Sequence, residues 1–258
     1  MTGTLTRVVK VGGRAQGDVR LPAALAAAAR MPGASLCIVH GGGDEVSALQ
    51  RRLGLEPAFS GGRRITSEAD LEIVRMVLSG TINKRIVAQL VTAGVRAVGI
   101  SGEDAGLFTA RATNAATMGR VGGAVTVRPD VVRQLQAGGF VPVISPLARD
   151  AEDPAGAGLN VNGDDAAAAL AAALKAGELV LVADVPGVLD SGTVLPLLDV
   201  ERAQALVTSG VATAGMAAKL EAAAAALLGG VARVRIAGID GIGDSAAGTR
   251  IVLTLSPV

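Results

Sequence analysis

The chain has 258 residues, enough for one large α/β domain or two small ones, and half of them are hydrophobic, which supplies ample core material and excludes disorder on composition. Lys plus Arg number 24 against 23 Asp plus Glu, a net charge of +1, so there is no bulk attraction to nucleic acid or to an acidic membrane. Aromatics are 1%, with no Trp and no Tyr, which removes base-stacking platforms as well.

The single cysteine, Cys37, lies inside an apolar run and reads as a buried, inert thiol; no disulfide framework is possible. The N-terminus carries no long apolar segment, and no apolar run reaches the roughly 18 residues of a membrane span. These features read as a soluble, cytoplasmic protein.

In chain order, Leu5 to Val11 reads as a buried strand containing one lysine, Lys10, and ends at Gly12 and Gly13. An alanine-rich helix is expected from about Asp18 to Arg30, stopped by Pro32-Gly33. Leu36 to Val39 is a strand that runs through His40 into Gly41, Gly42 and Gly43. A helix follows from Asp44, with Val46, Leu49 and Leu53 on its apolar stripe. Strand, glycine loop and helix start together make an anion site, because glycine leaves no Cβ over the loop amides and the helix adds free N–H groups. Gly54 to Ser67 is irregular and holds Gly61-Gly62-Arg63-Arg64. Ser67 to Asp70 has capping-box spacing. A helix of about three turns follows; Gly80 interrupts it, and Asn83 to Thr92 resumes as a second helical piece.

Val95 to Ile100 is a strand, and Leu107 to Val127 reads as hairpin material on the sheet edge. Pro129 to Gln136 is a helix, Phe140 to Ile144 a strand, and Arg149 to Gly158 a turn-like stretch. Leu159 to Asp165 leads into an alanine helix, Ala166 to Lys175. Glu178 to Val182 is a strand feeding Asp184-Val185-Pro186-Gly187-Val188-Leu189. Asp199 to Thr208 and Met216 to Leu228 are helices; Val231 to Ala237 and Arg250 to Leu255 are closing strands. Strands alternating with helices predict an α/β fold, a three-layer αβα sandwich around a mostly parallel open sheet. A boundary between two lobes is expected near Gly158, within one continuous sheet.

Each candidate side chain has a plain reading beside the functional one. Lys10, within a strand of Val and Leu, is either an edge lysine reaching solvent or a cation that meets an anion. Lys219, near a helix start where the dipole disfavours a cation, is either a surface lysine or is compensated by bound charge. Asn160, Asn162 and Asp164 share a face of an extended segment, and Asp164 is also the expected N-cap of the following helix. Arg64, in a glycine-flanked loop, is a candidate carboxylate clamp or a solvent-exposed arginine. His40, the only histidine, has no nucleophile or metal set nearby and reads as structural; no metal site is expected. Gly12 and Gly17 have the outer spacing of a Walker A loop, but Asp18-Val19 stand where Lys and Ser or Thr are required.

As an ordered set these pieces resemble the amino acid kinase family, and within it the branch that phosphorylates N-acetyl-L-glutamate. The carrying stretches are Val8 to Gly13, Ile38 to Gly43, Gly61 to Thr66, Met76 to Lys84, Val98 to Gly106, Leu159 to Asp164, Ala183 to Asp190 and Thr213 to Lys219. The resemblance implies ATP-dependent phosphorylation of the acceptor's side-chain carboxylate, the second step of arginine biosynthesis, with magnesium carried on ATP. It implies Lys10 and Lys219 as catalytic cations and Asp164 as the acid that holds them. Gly42, Gly43, Arg64 and Asn160 fall on acceptor-binding positions. Gly12, Gly13, Asp184, Val185, Pro186, Gly187, Val188, Leu189, Thr213 and Gly215 fall on the nucleotide site.

By the same resemblance the first lobe, about 1–158, binds the acceptor and dimerises, and the second, about 159–258, binds ATP. The chain departs from the family pattern at Asp165, a second acid where a neutral residue is usual, and at Ala214, where a glycine or acid is common; the 107–127 region matches loosely. Only nine residues precede Lys10, which suggests a homodimer insensitive to arginine rather than a hexamer. Two other readings stand beside the first: a sister kinase acting on a carrier-linked or acetylated aminoadipate, and an inactive nucleotide-sensing regulatory homologue.

Overall fold

The computed structural model describes residues 5–153 and 155–254. Its first half contains β1 (Leu5–Val11), α1 (Leu21–Ala29), β2 (Ala34–His40), α2 (Gly43–Arg52), the hairpin β3 (Phe59–Ser60) and β4 (Arg63–Arg64), α3 (Glu68–Arg75), α4 (Asn83–Thr92) and β5 (Ala97–Ser101). Then come β6 (Phe108–Ala110), α5 (Ala115–Met118), β7 (Thr126–Val127), α6 (Asp130–Ala137), β8 (Val141–Ser145), β9 (Leu147–Asp150) and β10 (Gly158–Asn160). The second half contains α7 (Gly163–Leu174), β11 (Glu178–Val182), the hairpin β12 (Leu189–Asp190) and β13 (Thr193–Val194), β14 (Leu197–Asp199), α8 (Val200–Thr208), α9 (Ala214–Leu228), β15 (Val234–Ala237) and β16 (Thr249–Val252).

Eight strands form the central sheet in the order β14-β16-β15-β11-β1-β2-β8-β5. Every adjacent pair is parallel except β15 with β16. The first four strands in that order come from the second half of the chain and the last four from the first, so β1 and β11 join the halves at the centre. Strand alternation sends Val8, Cys37, Val39, Ile144, Leu179 and Leu181 to one face, under α6 to α9. Val9, Val11, Ile38, Val143, Val180 and Val182 go to the other, under α1 to α4. The αβα sandwich expected from the alternation of elements is the one observed.

Four local expectations are corrected. Gly80 does not break the helix: Met76–Ile82 widens into a π-turn that carries α3 into α4 without interruption. Leu107 to Val127 is not an edge of the central sheet. Its strands pair with β9 and β10 in a separate four-stranded sheet, β10-β9-β6-β7, so Arg149 to Gly158 is the connection of a strand pair. The helix expected from Asp18 starts at Leu21, with Pro22 in its first turn, after a 3₁₀ segment at Gly13–Gly17. The closing strand is Thr249–Val252, and Leu255 lies outside the described residues.

Candidate active site

Parallel strands open their carboxyl ends to ligands, and there a cavity of about 220 Å³ lies between the glycine loops and the start of α7. Lys10, Gly12, Gly13, Gly42, Gly43, Arg64, Asn160 and Asp164 all line it. The structure therefore gathers the acceptor-site candidates with Lys10 and Asp164. It also places Gly12 and Gly13, assigned by resemblance to the nucleotide, on the same cavity.

Lys10 is no edge lysine. It is 6% exposed, and its parity with Val8 aims it at α7 rather than α1. Its Nζ donates to Asp164 Oδ2 at 2.8 Å, while Lys219 Nζ, from α9, donates to Asp164 Oδ1 at 3.3 Å. Two buried ammoniums thus share one carboxylate. Burial alone would raise the Asp164 carboxyl, but Lys10 and then Lys219 outweigh it and hold the group below the ordinary carboxylate value. Burial lowers Lys219 below the usual lysine value; Lys10 pushes the same way and Asp164 opposes. Gly12 is required for this packing, since a Cβ there would lie 2.5 Å from the Lys10 Nζ.

Asp164 does not cap its helix. Asn162 does, its Oδ1 accepting from Asp164 N at 2.7 Å and from Asp165 N at 3.3 Å. Capping by Asn162 frees the Asp164 carboxylate for the lysines. The N-termini of α7 and α2 both face the cavity, which favours negative charge there.

Arg64 is 8% exposed, so it is not the solvent-facing arginine of the plain reading. Its Nη2 donates to Gly43 O at 2.8 Å and to Ser47 Oγ at 2.7 Å, its Nη1 donates to Gln50 Oε1, and its guanidinium stacks 4.7 Å from the Phe59 ring. Among the described residues no carboxylate forms an ion pair with it, although burial presses against its charge. This explains why the buried face of α2 is Val46, Ser47 and Gln50, whereas Leu53 of the expected apolar stripe is exposed. Ser47 and Gln50, spaced i and i+3, were the missed signal. Asn160 Nδ2 donates to Thr66 Oγ1 at 3.1 Å, and Thr66 Oγ1 in turn donates to Arg64 O, so Asn160 braces the same strand.

At Gly42 the backbone has φ +153°, and a Cβ would strike Ile82 and Leu78 of the π-turn. His40 is buried and structural. Its Nδ1 meets Gly41 O at 3.0 Å and its Nε2 meets Asn83 Nδ2 at 3.1 Å, so Nδ1 carries the proton and Nε2 accepts. Burial lowers its pKa to about 4.

The remaining candidates stand away from this cavity, on the second half. The loop Asp184 to Leu189 leaves β11, and Val188 N donates to Thr249 Oγ1 at 2.8 Å. Gly187 has no room for a Cβ, which would meet Thr249 Oγ1 and Val194 at 2.8 Å. Thr213 and Gly215 are exposed at the start of α9, one turn before Lys219. Lys219 is the link between this region and the cavity.

An open α/β sheet with buried, incompletely neutralised cations over its carboxyl rim defines a site for anionic small molecules. The chain belongs to the amino acid kinase family, whose pattern matches residues 6–238. It is 44% identical over 249 residues to acetylglutamate kinase of Chloroflexus aurantiacus, covering 96% of each chain, and 40% identical to that of Roseiflexus sp. strain RS-1, covering 98% of this chain and 95% of the relative. Among solved structures, smu.665 of Streptococcus mutans UA159 superposes with a TM-score of 0.85 at 29% identity, covering 96% of this chain and 99% of the other. A carbamate kinase of Giardia, at 16% identity and TM-score 0.69 over 98% of this chain and 100% of its own, shares the fold.

Proposed function

We propose that this chain transfers the γ-phosphoryl group of ATP to the side-chain carboxylate of N-acetyl-L-glutamate, giving an acyl phosphate and ADP. The observation that carries the reading is the cavity itself. On one wall it has a buried arginine that forms no ion pair with a carboxylate among the described residues, and on another Lys10 with Asp164, whose carboxylate also holds Lys219. Arg64 holds a carboxylate of the acceptor, with Asn160 bracing its strand. The reacting carboxylate oxygen forms a bond to the γ-phosphorus as the bond to the bridging oxygen of ADP breaks. A carboxylate is ionised at neutral pH, so no general base is needed, which suits a chain whose one histidine, His40, is committed to the glycine loop. The protein's task is to align two anions and neutralise charge that spreads over the transferring group.

In this reading Lys10 and Lys219 flank that group, Asp164 keeps both in place, and the amides at Gly42 and Gly43 meet its oxygens. The nucleotide lies over the second half, against Asp184 to Leu189, Thr213 and Gly215, with its phosphates reaching Gly12 and Gly13. Magnesium arrives on those phosphates as part of the nucleotide substrate. The two halves of the sheet then correspond to an acceptor lobe and a nucleotide lobe, in a cytoplasmic homodimer whose mass light scattering on a sizing column measures.

The acceptor is tested directly. Purified protein, ATP and either N-acetyl-L-glutamate or an aminoadipate derivative are incubated with hydroxylamine, which traps the acyl phosphate. Hydroxamate with the first acceptor and little with the second is expected; none with N-acetyl-L-glutamate sinks the proposal.

A further inference from the structure

Asp165, the second acid in the first turn of α7, has a partner that its neighbour's role does not explain. Its Oδ2 lies 2.8 Å from Nη2 of Arg63, which also lines the cavity. Arg63 and Arg64 are successive residues of β4, so their side chains leave opposite sides of the strand. Arg64 is tied to α2 in the first half of the chain, and Arg63 reaches across to α7 in the second. Between them the β3–β4 hairpin, whose tip Gly61-Gly62 takes positive φ at both residues, lines the cavity with Phe59, Gly62, Arg63 and Arg64. The two ties differ in kind. Arg64 is buried in a set of short hydrogen bonds, whereas the side chains of Arg63 and Asp165 are 35% and 27% exposed. A half-exposed ion pair is weak and reversible, and a buried guanidinium is not.

We propose that Asp165 is a positioning residue: through Arg63 it latches the free side of the β3–β4 hairpin over the acceptor cavity, while Arg64 forms the fixed side. The latch opens to admit the acceptor and closes to keep it. It joins the two halves of the sheet at the point where the reactants meet. This rests on the reading of the cavity as the acceptor site, so one arm of the test is independent of turnover.

In the substrate-free protein, hydrogen exchange across residues 57–66 reports the hairpin, whose amide of Ile65 donates to Ala58 O at 2.9 Å. Asp165→Asn speeds that exchange about two- to fivefold, the range of a half-exposed pair, and leaves exchange in β1 and β11 unchanged. The same variant raises KM for N-acetyl-L-glutamate by about two- to fivefold and leaves kcat and the KM for ATP unchanged. The exchanged pair Arg63→Asp with Asp165→Arg recovers most of both effects. Unchanged hairpin exchange in Asp165→Asn overturns the latch. Faster exchange without a rise in acceptor KM overturns its role in holding the acceptor. A rise in KM that the exchanged pair does not recover means that Arg63 acts on the acceptor directly, and overturns it too. Failure of the wild type to phosphorylate N-acetyl-L-glutamate strikes the functional reading, while the exchange arm still decides the latch.

Discussion

Two buried clusters, each of two cations around one carboxylate, stand at opposite ends of the same central strands. At the amino ends, Arg7 Nε and Arg235 Nε each donate to Glu178 at 2.8 Å. At the carboxyl ends, Lys10 and Lys219 share Asp164. Both carboxyls are held below their ordinary values by the same balance of burial against paired cations. What differs is the remainder of the donors. Arg7 Nη2 reaches Ile242 O, and Arg235 reaches the carbonyls of Gly241, Asp244 and Ala247, so backbone closes that cluster. The lysines are point charges with three donors each, and among the described residues their hydrogen bonds go to Asp164. Equal charge composition therefore gives a staple in one place and, in the function proposed, a reactive site in the other. The distinction lies in whether the cations' remaining hydrogen-bonding capacity is met by the fold or, as at Lys10, left facing a cavity.

The largest effect expected from this contrast is on stability, at the closed cluster. Glu178→Ala leaves two guanidiniums buried without their carboxylate, and breaking such a network costs about 3–5 kcal/mol, read as a fall in unfolding free energy in urea. Turnover of the folded fraction stays within about threefold of wild type. Lost turnover at unchanged stability would mean that the two clusters are not divided between structure and chemistry.

At the open cluster the loss is in rate. Lys10→Ala and Lys219→Ala each lower kcat by about a hundredfold or more, the usual consequence of removing preorganised charge from a transition state. Each loses less stability than Glu178→Ala, because Asp164 keeps one ammonium. Turnover within about threefold of wild type in either variant breaks the mechanism. Arg64→Ala sharpens the division within the site. It raises acceptor KM about ten- to hundredfold, as expected for charged hydrogen bonds, and leaves the KM for ATP within about twofold. A larger effect on ATP would overturn the placing of Arg64 on the acceptor.

How far the site was legible depended on whether a residue's oddity was local. Lys10 announced itself by standing in an apolar strand, the three glycines by following one, and the capping box at Ser67 and Asp70 by spacing alone; the structure has that box. Local rules favoured a cap for Asp164, since its lysine partners lie 154 and 55 residues away, and only the resemblance implied that it holds them. The polar inner face of α2 defied helical periodicity because Arg64 needs acceptors there, a demand set by tertiary contact. The pairing of Arg63 with Asp165, the second sheet and the π-turn beneath Gly42 are likewise long-range outcomes. Periodicity over a dozen residues does not encode them.

The smallest effect isolates His40, which belongs to neither cluster and contacts the carbonyl of Gly41 in the glycine loop. Asp164 and Glu178 are both held below their ordinary values, so neither titrates between pH 6 and 7.5. His40 does so only when unfolded. Its folded value is lowered to about 4 from 6.5, so between those values the unfolded chain binds a proton that the native state refuses. Its contribution is complete above the unfolded value and is lost as pH falls toward the folded one. From pH 7.5 to 6 the loss is about 0.8 kcal/mol, and it grows on further acidification. Urea midpoints at the two pH values measure it. In His40→Gln the overall stability falls, but this pH slope disappears, because glutamine does not titrate. A slope that persists in the variant assigns the effect to another group, and removes the argument that His40 stays neutral while holding the carbonyl of Gly41 at the head of the glycine loop.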